Sequence, residues 1–314
     1  MSKTLLINKI YNFYLKLFNK KKYQELKEKI KEIENYEHYK KIIDPALKKT
    51  SDLIKNKNNL SFLHSGHLGD IIYSLPLIKE MAKNSKCDLY LQVNKEIPKE
   101  AHDLGHPFGR YFLSENAARR LIPLIKKQNY ISTVQVYNNE EIDINLNLFR
   151  DLPSNFHTQV HSSRWYFHLT GIHGDLLSPS VDIEPHKIIK NRIIIMRSLR
   201  RQNKLISYKF LNEYENPLFL GLKDEYEDLK REVKNLEHYD CIDFYELASI
   251  IKSSKIFIGN LSFGYALAES IKVKRLLETG ANLPLVYPNG KNAYDCYFQN
   301  NFEELFDKLY KFKI

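Results

Sequence analysis

The sequence predicts an α/β protein made of two consecutive doubly wound domains with a cleft between them, preceded by a helical leader. Three observations support this prediction. Strand-like and helix-like patterns alternate in two series, a glycine-containing loop joins the first strand to its helix, and 314 residues exceed what a single core usually fills. The predicted boundaries are residues 1–58 for the leader, 59–180 for the first domain and 187–314 for the second.

The leader is basic and amphipathic. Residues 1–60 hold 15 lysines against 7 acidic residues, which accounts for most of the net charge of +10. Its apolar residues recur at near-helical spacing and predict a helix over about residues 5–31; they are Leu6, Ile10, Phe13, Tyr14, Leu17 and Phe18. Such a helix can lie on an anionic membrane surface or pack on the body, and the pattern leaves both interpretations open.

The first alternating series begins after Asp44-Pro45, where the pattern changes. Residues 60–64 form a short apolar strand, Ser65-Gly66-His67-Leu68-Gly69-Asp70 forms a loop, and a helical run covers residues 71–84. The predicted elements that follow are a strand at 87–93, a helix at 115–127 capped by Ser114, and a strand at 131–137.

The second series follows a linker over residues 175–186, which contains Ser178-Pro179-Ser180 and Glu184-Pro185 and no periodicity. Its predicted strands cover 192–197, 217–221, 256–259 and 275–278, and its helices cover 225–233, 244–252 and 263–271. Parallel sheets of this kind bind ligands beyond the carboxyl ends of their strands. We therefore expect a ligand cleft between the two domains.

Composition excludes several other classes of protein. No apolar run approaches the roughly 18 residues of a membrane span, and Asn8 and Lys9 interrupt the apolar start, so no signal peptide is predicted. Cys87, Cys241 and Cys296 lack any CxxC spacing and are predicted to be reduced thiols. Because the leader carries most of the basic surplus, the body has no basic stripe and nucleic-acid binding is not predicted. We expect a cytoplasmic protein.

The loop after the first strand carries the sharpest motif. Gly66 and Gly69 let backbone amides approach a ligand, and His64 and His67 flank them at the start of a helix. The run Gly69-Asp70-Ile71-Ile72-Tyr73-Ser74-Leu75-Pro76 resembles the Gly-Asp-x-Ile-x-x-Leu-Pro motif of family 9 glycosyltransferases, the heptosyltransferase-like group of GT-B enzymes. This resemblance implies two Rossmann-like domains, of which the first binds an acceptor and the second a nucleotide sugar.

Asp70 is our candidate general base, which would take the proton from an attacking acceptor hydroxyl. An acidic residue at a helix start is also a favoured cap, so Asp70 has a purely structural interpretation as well. If Asp70 is only a cap, His64 and His67 in the same loop are the next candidates for the base.

A second stretch, residues 257–269, resembles the strand, Gly-Asn loop and helix that hold the donor diphosphate in that family. The residues of the stretch to which the resemblance gives a donor-binding role are Gly259, Asn260, Ser262 and Glu269. Backbone amides and a hydroxyl at a helix start suit a phosphate group. Leu261 stands where heptosyltransferases have an Asp, and Ala266 stands where they have a His.

Basic residues follow the first strand of the second domain, where the family carries cations for the donor diphosphate. Arg197, Arg200 and Lys204 are the candidates, because guanidinium groups bind phosphate oxygens in pairs and lysine adds a point charge. Gly221 and Glu225 resemble the strand-end glycine and following glutamate of the family. The alternative for Glu225 is an ordinary acidic helix start.

The resemblance implies an inverting, metal-independent glycosyltransferase that uses a nucleotide-sugar donor and needs no cofactor. A glycan, a lipid-linked glycan or a protein could be the acceptor, and the leader suggests peripheral contact with the inner membrane surface. A first alternative, suggested by Leu261 and Ala266, is a nucleotide-sugar-binding protein without transfer activity. A second is an HD-type metal-dependent phosphohydrolase, suggested by His102-Asp103. His157 and His161 have the spacing of two metal ligands, but no accompanying motif supports a metal site.

Overall fold

Two parallel sheets form the framework of the protein. The computed structural model describes residues 12–97, 109–151, 161–280 and 286–311. The first sheet has the strand order β3-β2-β1-β4, and each neighbouring pair is parallel. Its strands are β1 Asn59–His64, β2 Lys86–Leu91, β3 Thr133–Val136 and β4 Ile144–Asn145. The predicted α/β class is confirmed.

The second sheet has the strand order β10-β9-β8-β5-β6-β7 and is also parallel throughout. Its strands are β5 Ile193–Met196, β6 Pro217–Leu220, β7 Glu237–Tyr239, β8 Ile256–Asn260, β9 Arg275–Glu278 and β10 Ala293–Cys296. Strand β5 lies between β8 and β6, so the chain reverses direction across the sheet at β5. Ligands bind at such a switch point in open α/β sheets.

Helices connect the strands and cover the sheets. They are α1 at residues 12–18, α2 Lys20–Asn56, α3 Leu68–Met81, α4 Glu115–Lys126, α5 Ser162–Thr170, α6 Lys223–Lys230, α7 Phe244–Lys252, α8 Phe263–Ile271 and α9 Gln299–Lys311. Short 3-10 helices lie at Leu146–Asp151, Leu199–Arg201 and Lys209–Glu213. None of the described helices combines the length and the apolar character that a membrane span requires.

A continuous apolar core joins the two sheets. Helix α3 packs on α8 and α4 packs on α7, so buried residues of both sheets, such as Phe62 and Phe257, belong to one cluster. A second core lies under α6 and α9 and contains Ile195, Phe219 and Phe302. The six-stranded sheet therefore has helices on both faces, as a doubly wound domain requires.

The leader helix is longer than predicted, because α2 continues through Pro45 to Asn56. Its second half packs against α5, where Ile43 is buried in a cluster with Leu169. Its first half exposes Ile30 and Ile33 to solvent. The packed residues lie beyond the helix predicted at residues 5–31, so both interpretations of that stretch stay predictions. Leu6 and Ile10 lie outside the described residues.

Several elements were not predicted from the sequence. Strands β4 and β7 have two and three residues, which is too short for an alternating pattern to emerge. Helices α5 and α9 and strand β10 were also missed. The predicted linker at 175–186 contains no helix or strand, and the exact domain boundaries remain a prediction. His102-Asp103 and His157 lie outside the described residues.

Candidate functional site

The loop between β1 and α3 closes tightly on itself at Gly66. A Cβ atom on Gly66 would lie 2.6 Å from Cε1 of His64 and 3.1 Å from Cβ of Asp70. Real Cβ atoms are essentially never found at the first of these distances, so a larger residue would force the loop open. The glycine therefore allows the strand end and the helix start to approach each other.

His64 is fully buried under this loop and has a structural role. Its Nδ1 accepts a hydrogen bond from the Gly66 amide (2.9 Å), so the proton of the neutral ring is on Nε2, 3.0 Å from the Tyr166 hydroxyl. That hydroxyl donates to the carbonyl of Asp70 (3.1 Å). Burial lowers the pKa of His64 to about 3. This corrects the candidate role of His64 as a base, because both ring nitrogens are engaged and the ring resists protonation.

His67 is the residue before the first turn of α3, and its Nδ1 lies 3.1 Å from the carbonyl of Phe112. Burial, followed by the positive charge of Arg150, lowers the pKa of His67 to about 3, and Arg200 and Arg201 act in the same direction. These last two arginines belong to the loop after β5. The loop that carries them follows the carboxyl end of a strand in the second sheet, as the His67 loop does in the first.

Asp70 is the third residue of α3 rather than its cap. Its Oδ2 accepts a hydrogen bond from the His67 amide (3.1 Å) and forms an ion pair with Nη2 of Arg150. The side chains of Asp70 and Arg150 are each 22% exposed, so the pair lies at the edge of the cleft. The Arg150 guanidinium lies over the Phe112 ring, 4.2 Å from its centroid. Arg150 was not predicted from the sequence, because it follows a two-residue strand and no local pattern marks it.

Gly69 lies where the two domains touch. A Cβ atom on Gly69 would lie 3.8 Å from Cβ of Ala266, which is fully buried. The first turns of α3 and α8 therefore meet, and both present the positive end of a helix dipole near the cleft. The small size of Ala266 permits this close contact.

The structure corrects the predicted role of Arg197. Its guanidinium is buried and forms a bidentate ion pair with Glu278, with Nε to Oε2 at 2.7 Å and Nη2 to Oε1 at 3.1 Å. It also lies 4.6 Å from the centroid of the Tyr208 ring, whose hydroxyl donates to the same carboxylate. A guanidinium held this way inside the domain is not available to a ligand in the cleft.

Asn260 is also engaged within the domain. Its Oδ1 accepts from the Ser198 amide (2.8 Å) and its Nδ2 donates to the Ser198 carbonyl (2.7 Å). Glu225 lies near the start of α6, accepts a hydrogen bond from the Ser198 side chain and interacts electrostatically with Arg200. Burial raises the pKa of Glu225. Both residues therefore fix the loop at 198–201. The prediction for Asn260 concerned the backbone amides around it, and it stays a prediction.

Arg200 and Arg201 are the cations that this loop presents. Nε of Arg200 is buried without a hydrogen-bond partner in the described part of the chain. Burial lowers the pKa of both guanidinium groups, which stay charged near neutral pH. Lys204 is exposed on the same segment, and Ser262 caps α8 by accepting from the Tyr265 amide (3.4 Å). The donor-binding roles of Arg200, Lys204 and Ser262 stay predictions, and Arg201 is a further cation that the structure adds to the same turn.

Two further predicted donor residues have roles inside the second domain. A Cβ atom on Gly259 would lie 2.5 Å from the carbonyl oxygen of Met196, so the glycine permits close packing of β8 against β5. Glu269 is buried, and its carboxylate binds Arg275 (2.6 Å), Lys272 (2.5 Å) and the Asn289 amide (3.1 Å). This corrects the prediction that the Glu269 side chain binds the donor, because internal partners occupy both of its oxygens. Within the described ranges, no group of three or more acidic, histidine or cysteine side chains could hold a metal ion.

Comparisons with known proteins support the fold. No family model and no curated protein sequence matches the chain. The structure is similar to a family 9 glycosyl transferase from Veillonella parvula, with 12% identity, a TM-score of 0.53, and coverage of 82% of this chain and 90% of that one. It is also similar to the E. coli ADP-heptose heptosyltransferase II, with 10% identity, a TM-score of 0.48, and coverage of 80% and 98%. A third match is the E. coli heptosyltransferase WaaC with ADP, with 11% identity, a TM-score of 0.48, and coverage of 80% and 99%. The resemblance found in the sequence motifs is thus confirmed at the level of the fold, which this chain shares with the Veillonella family 9 glycosyl transferase.

Proposed function

We propose that the protein is a glycosyltransferase that moves a sugar from a nucleotide-diphosphate donor to an acceptor hydroxyl. The observation that carries this proposal is that a carboxylate of the first domain and cations of the second domain lie at the same cleft. Asp70 comes from the first domain, and the Arg200-Arg201 turn with the start of α8 comes from the second. A carboxylate suits the acceptor hydroxyl, and cations with helix amides suit a diphosphate.

Transfer proceeds with inversion and without a metal in this proposal. The acceptor oxygen attacks the anomeric carbon as the bond to the diphosphate breaks, and Asp70 takes the hydroxyl proton late in the step. The departing diphosphate gains negative charge, which Arg200, Arg201 and Lys204 stabilise. Ser262 and the amides at the start of α8 bind its oxygens.

The test is incubation with a panel of nucleotide sugars, with and without a chelator, while release of the nucleoside diphosphate is measured. Release that continues in the presence of chelator supports this mechanism. Phosphate release that depends on an added metal would support the HD phosphohydrolase instead, although the described part of the chain has two parallel sheets rather than an all-helical scaffold.

A nucleotide-sugar-binding protein without transfer activity is the second candidate. The ion pair between Asp70 and Arg150 favours it, because the pair occupies one oxygen of the proposed base. Ala266 and Leu261 favour it as well, since they replace polar residues of the family motif. Nucleotide binding by calorimetry without any diphosphate release across the panel would support this candidate.

Peripheral contact with a membrane through the N-terminal helix belongs to the same proposal. The first half of α2 exposes apolar residues and lysines to solvent, while its second half packs on α5 of the first domain. Contact there places the acceptor domain next to the membrane surface.

A further inference from the structure

Helix α1 presents an apolar face to solvent. Phe13, Tyr14, Leu17 and Phe18 are between 56% and 72% exposed, and the rings of Tyr14 and Phe18 lie 5.0 Å apart. At 3.6 residues per turn these four side chains cover an arc of about 140° on one side of the helix. Leu15 points away from this arc and is buried. The four exposed side chains therefore form a continuous apolar face on one side of α1.

Three exposed lysines follow this face directly. Asn19 interrupts the helix and caps α2 by accepting from the Lys22 amide (3.0 Å), so Lys20, Lys21 and Lys22 form the first turn of α2. That turn contains no acidic residue. The helix dipole is positive at this end and favours acidic side chains there. Lysines concentrated at this end are unfavourable unless an external anion compensates them.

No residue of α2 before Ile43 is buried. From Tyr39 onward the helix packs on α5 through Ile43 and Leu47. Lys20 lies 19 residues before Tyr39, which corresponds to roughly 28 Å of helix. We call residues 12–22 the tip. The tip contains four lysines and no acidic residue, whereas the α2 residues behind it mix both signs of charge from Glu25 onward.

We propose that the tip docks on the surface of a bilayer that contains anionic lipids. The aromatic and leucine side chains of α1 insert at the boundary between headgroups and acyl chains, and the lysines lie against lipid phosphates. A second copy of the chain fits this surface less well, because pairing two tips would bring like charges together. The proposal rests on the membrane contact proposed above and not on the transfer chemistry.

The test is co-sedimentation of the full-length protein with vesicles of phosphatidylcholine, alone or mixed with phosphatidylglycerol. We expect binding to the anionic vesicles that weakens as salt is raised. Lys20→Glu/Lys21→Glu/Lys22→Glu should lower this binding by roughly 100-fold or more, because each lysine contributes severalfold. Phe13→Ser/Phe18→Ser should lower binding to the anionic vesicles as well, because it removes the inserting side chains.

A matched control exists on the body, where Lys187 and Lys190 flank Ile188, which is 86% exposed. The variant Lys187→Glu/Ile188→Ser/Lys190→Glu should bind vesicles like the unmodified protein. Asp70→Asn should also bind normally, which separates failure of docking from failure of the transferase proposal. The proposal would be overturned if the protein bound both vesicle types equally, or if the Lys187/Ile188/Lys190 variant lost as much binding as the tip variants. It would also be overturned if the tip formed dimers and the protein did not bind vesicles.

Discussion

Arg150 donates a hydrogen bond to the same carboxylate oxygen of Asp70, Oδ2, that accepts the backbone amide of His67. This oxygen therefore serves both the start of α3 and an ion pair with a residue 80 positions away. The other oxygen, Oδ1, accepts no hydrogen bond from the described residues. Asp70 thus combines a structural contact at Oδ2 with the proton-transfer role proposed above, and the two roles can be tested separately.

The first prediction concerns the proposed base. Asp70→Asn keeps an oxygen for the His67 amide but cannot take a proton, so turnover should fall by roughly 100-fold or more. Donor affinity should change little, because the cations proposed to bind the diphosphate belong to the other domain. The measurements are turnover with saturating donor and nucleotide affinity by calorimetry. Near-normal transfer by this variant would leave Asp70 with its helix-start role alone.

The second prediction uses Arg150→Met as the matched variant. Both Asp70→Asn and Arg150→Met break the ion pair, and each should lower the free energy of unfolding by about 1.5 to 3 kcal/mol. Met keeps an apolar contact with the Phe112 ring, while the Asp70 carboxylate remains able to accept a proton. Arg150→Met should therefore retain much more turnover than Asp70→Asn. Equal losses of turnover would show that the ion pair, and not proton transfer, is what activity requires.

The contrast between Asp70 and Arg150 explains which parts of the site the sequence could predict. Local residues specify the β1 loop and α3. Gly66 stands where there is no room for a Cβ atom, Asp70 stands in the first turn of the helix, and the loop and the helix were both predicted. Arg150 reaches the site from a distant 3-10 turn, and no local pattern marks it.

Three of the predicted donor residues have internal partners that the sequence could not show. Arg197, Asn260 and Glu269 stand near strand ends or on the helix that follows, as ligand-binding residues do, but each is satisfied inside its own domain. A sequence shows that a polar residue lies at such a position. It does not show whether a buried partner such as Glu278 is present to bind it.

The third prediction compares two glycines of one loop. Gly66→Ala should destabilise the protein, because the new methyl group would overlap the buried His64 ring. Gly69→Ala places its methyl group at ordinary contact distance from Ala266 and lies in a helix, so stability should stay equal or rise by up to about 1 kcal/mol. If a ligand needs close approach to the amide of Gly69, this variant should nevertheless lose turnover. Thermal unfolding and turnover of both variants give the answer.

The fourth prediction separates scaffold from ligand contact in the second domain. Arg197→Met leaves the buried carboxylate of Glu278 without its guanidinium and should cost about 3 to 5 kcal/mol of unfolding free energy. Arg200→Met should change stability little and weaken nucleotide binding by about 1.5 to 3 kcal/mol. Urea unfolding and calorimetry measure the two effects. Unchanged nucleotide affinity in Arg200→Met would remove this turn from the proposed donor site.

The last prediction concerns pH. Burial lowers the pKa of His161 to about 4, as it lowers those of His64 and His67 to about 3, whereas an unfolded histidine titrates near roughly 6.5. Below about pH 6.5 the unfolded chain binds protons at these histidines, whereas the folded chain does not. The free energy of unfolding is therefore highest above about pH 6.5 and decreases as the pH falls below it. Each histidine contributes about 1.4 kcal/mol per pH unit until its folded pKa is reached.

His161 precedes the first turn of α5 and accepts a hydrogen bond from the Ser163 amide (3.2 Å), a role that asparagine also fills. His161→Asn should therefore reduce the slope by about 1.4 kcal/mol per unit between about pH 6 and pH 4 in urea unfolding, and an unchanged slope would contradict a neutral buried His161.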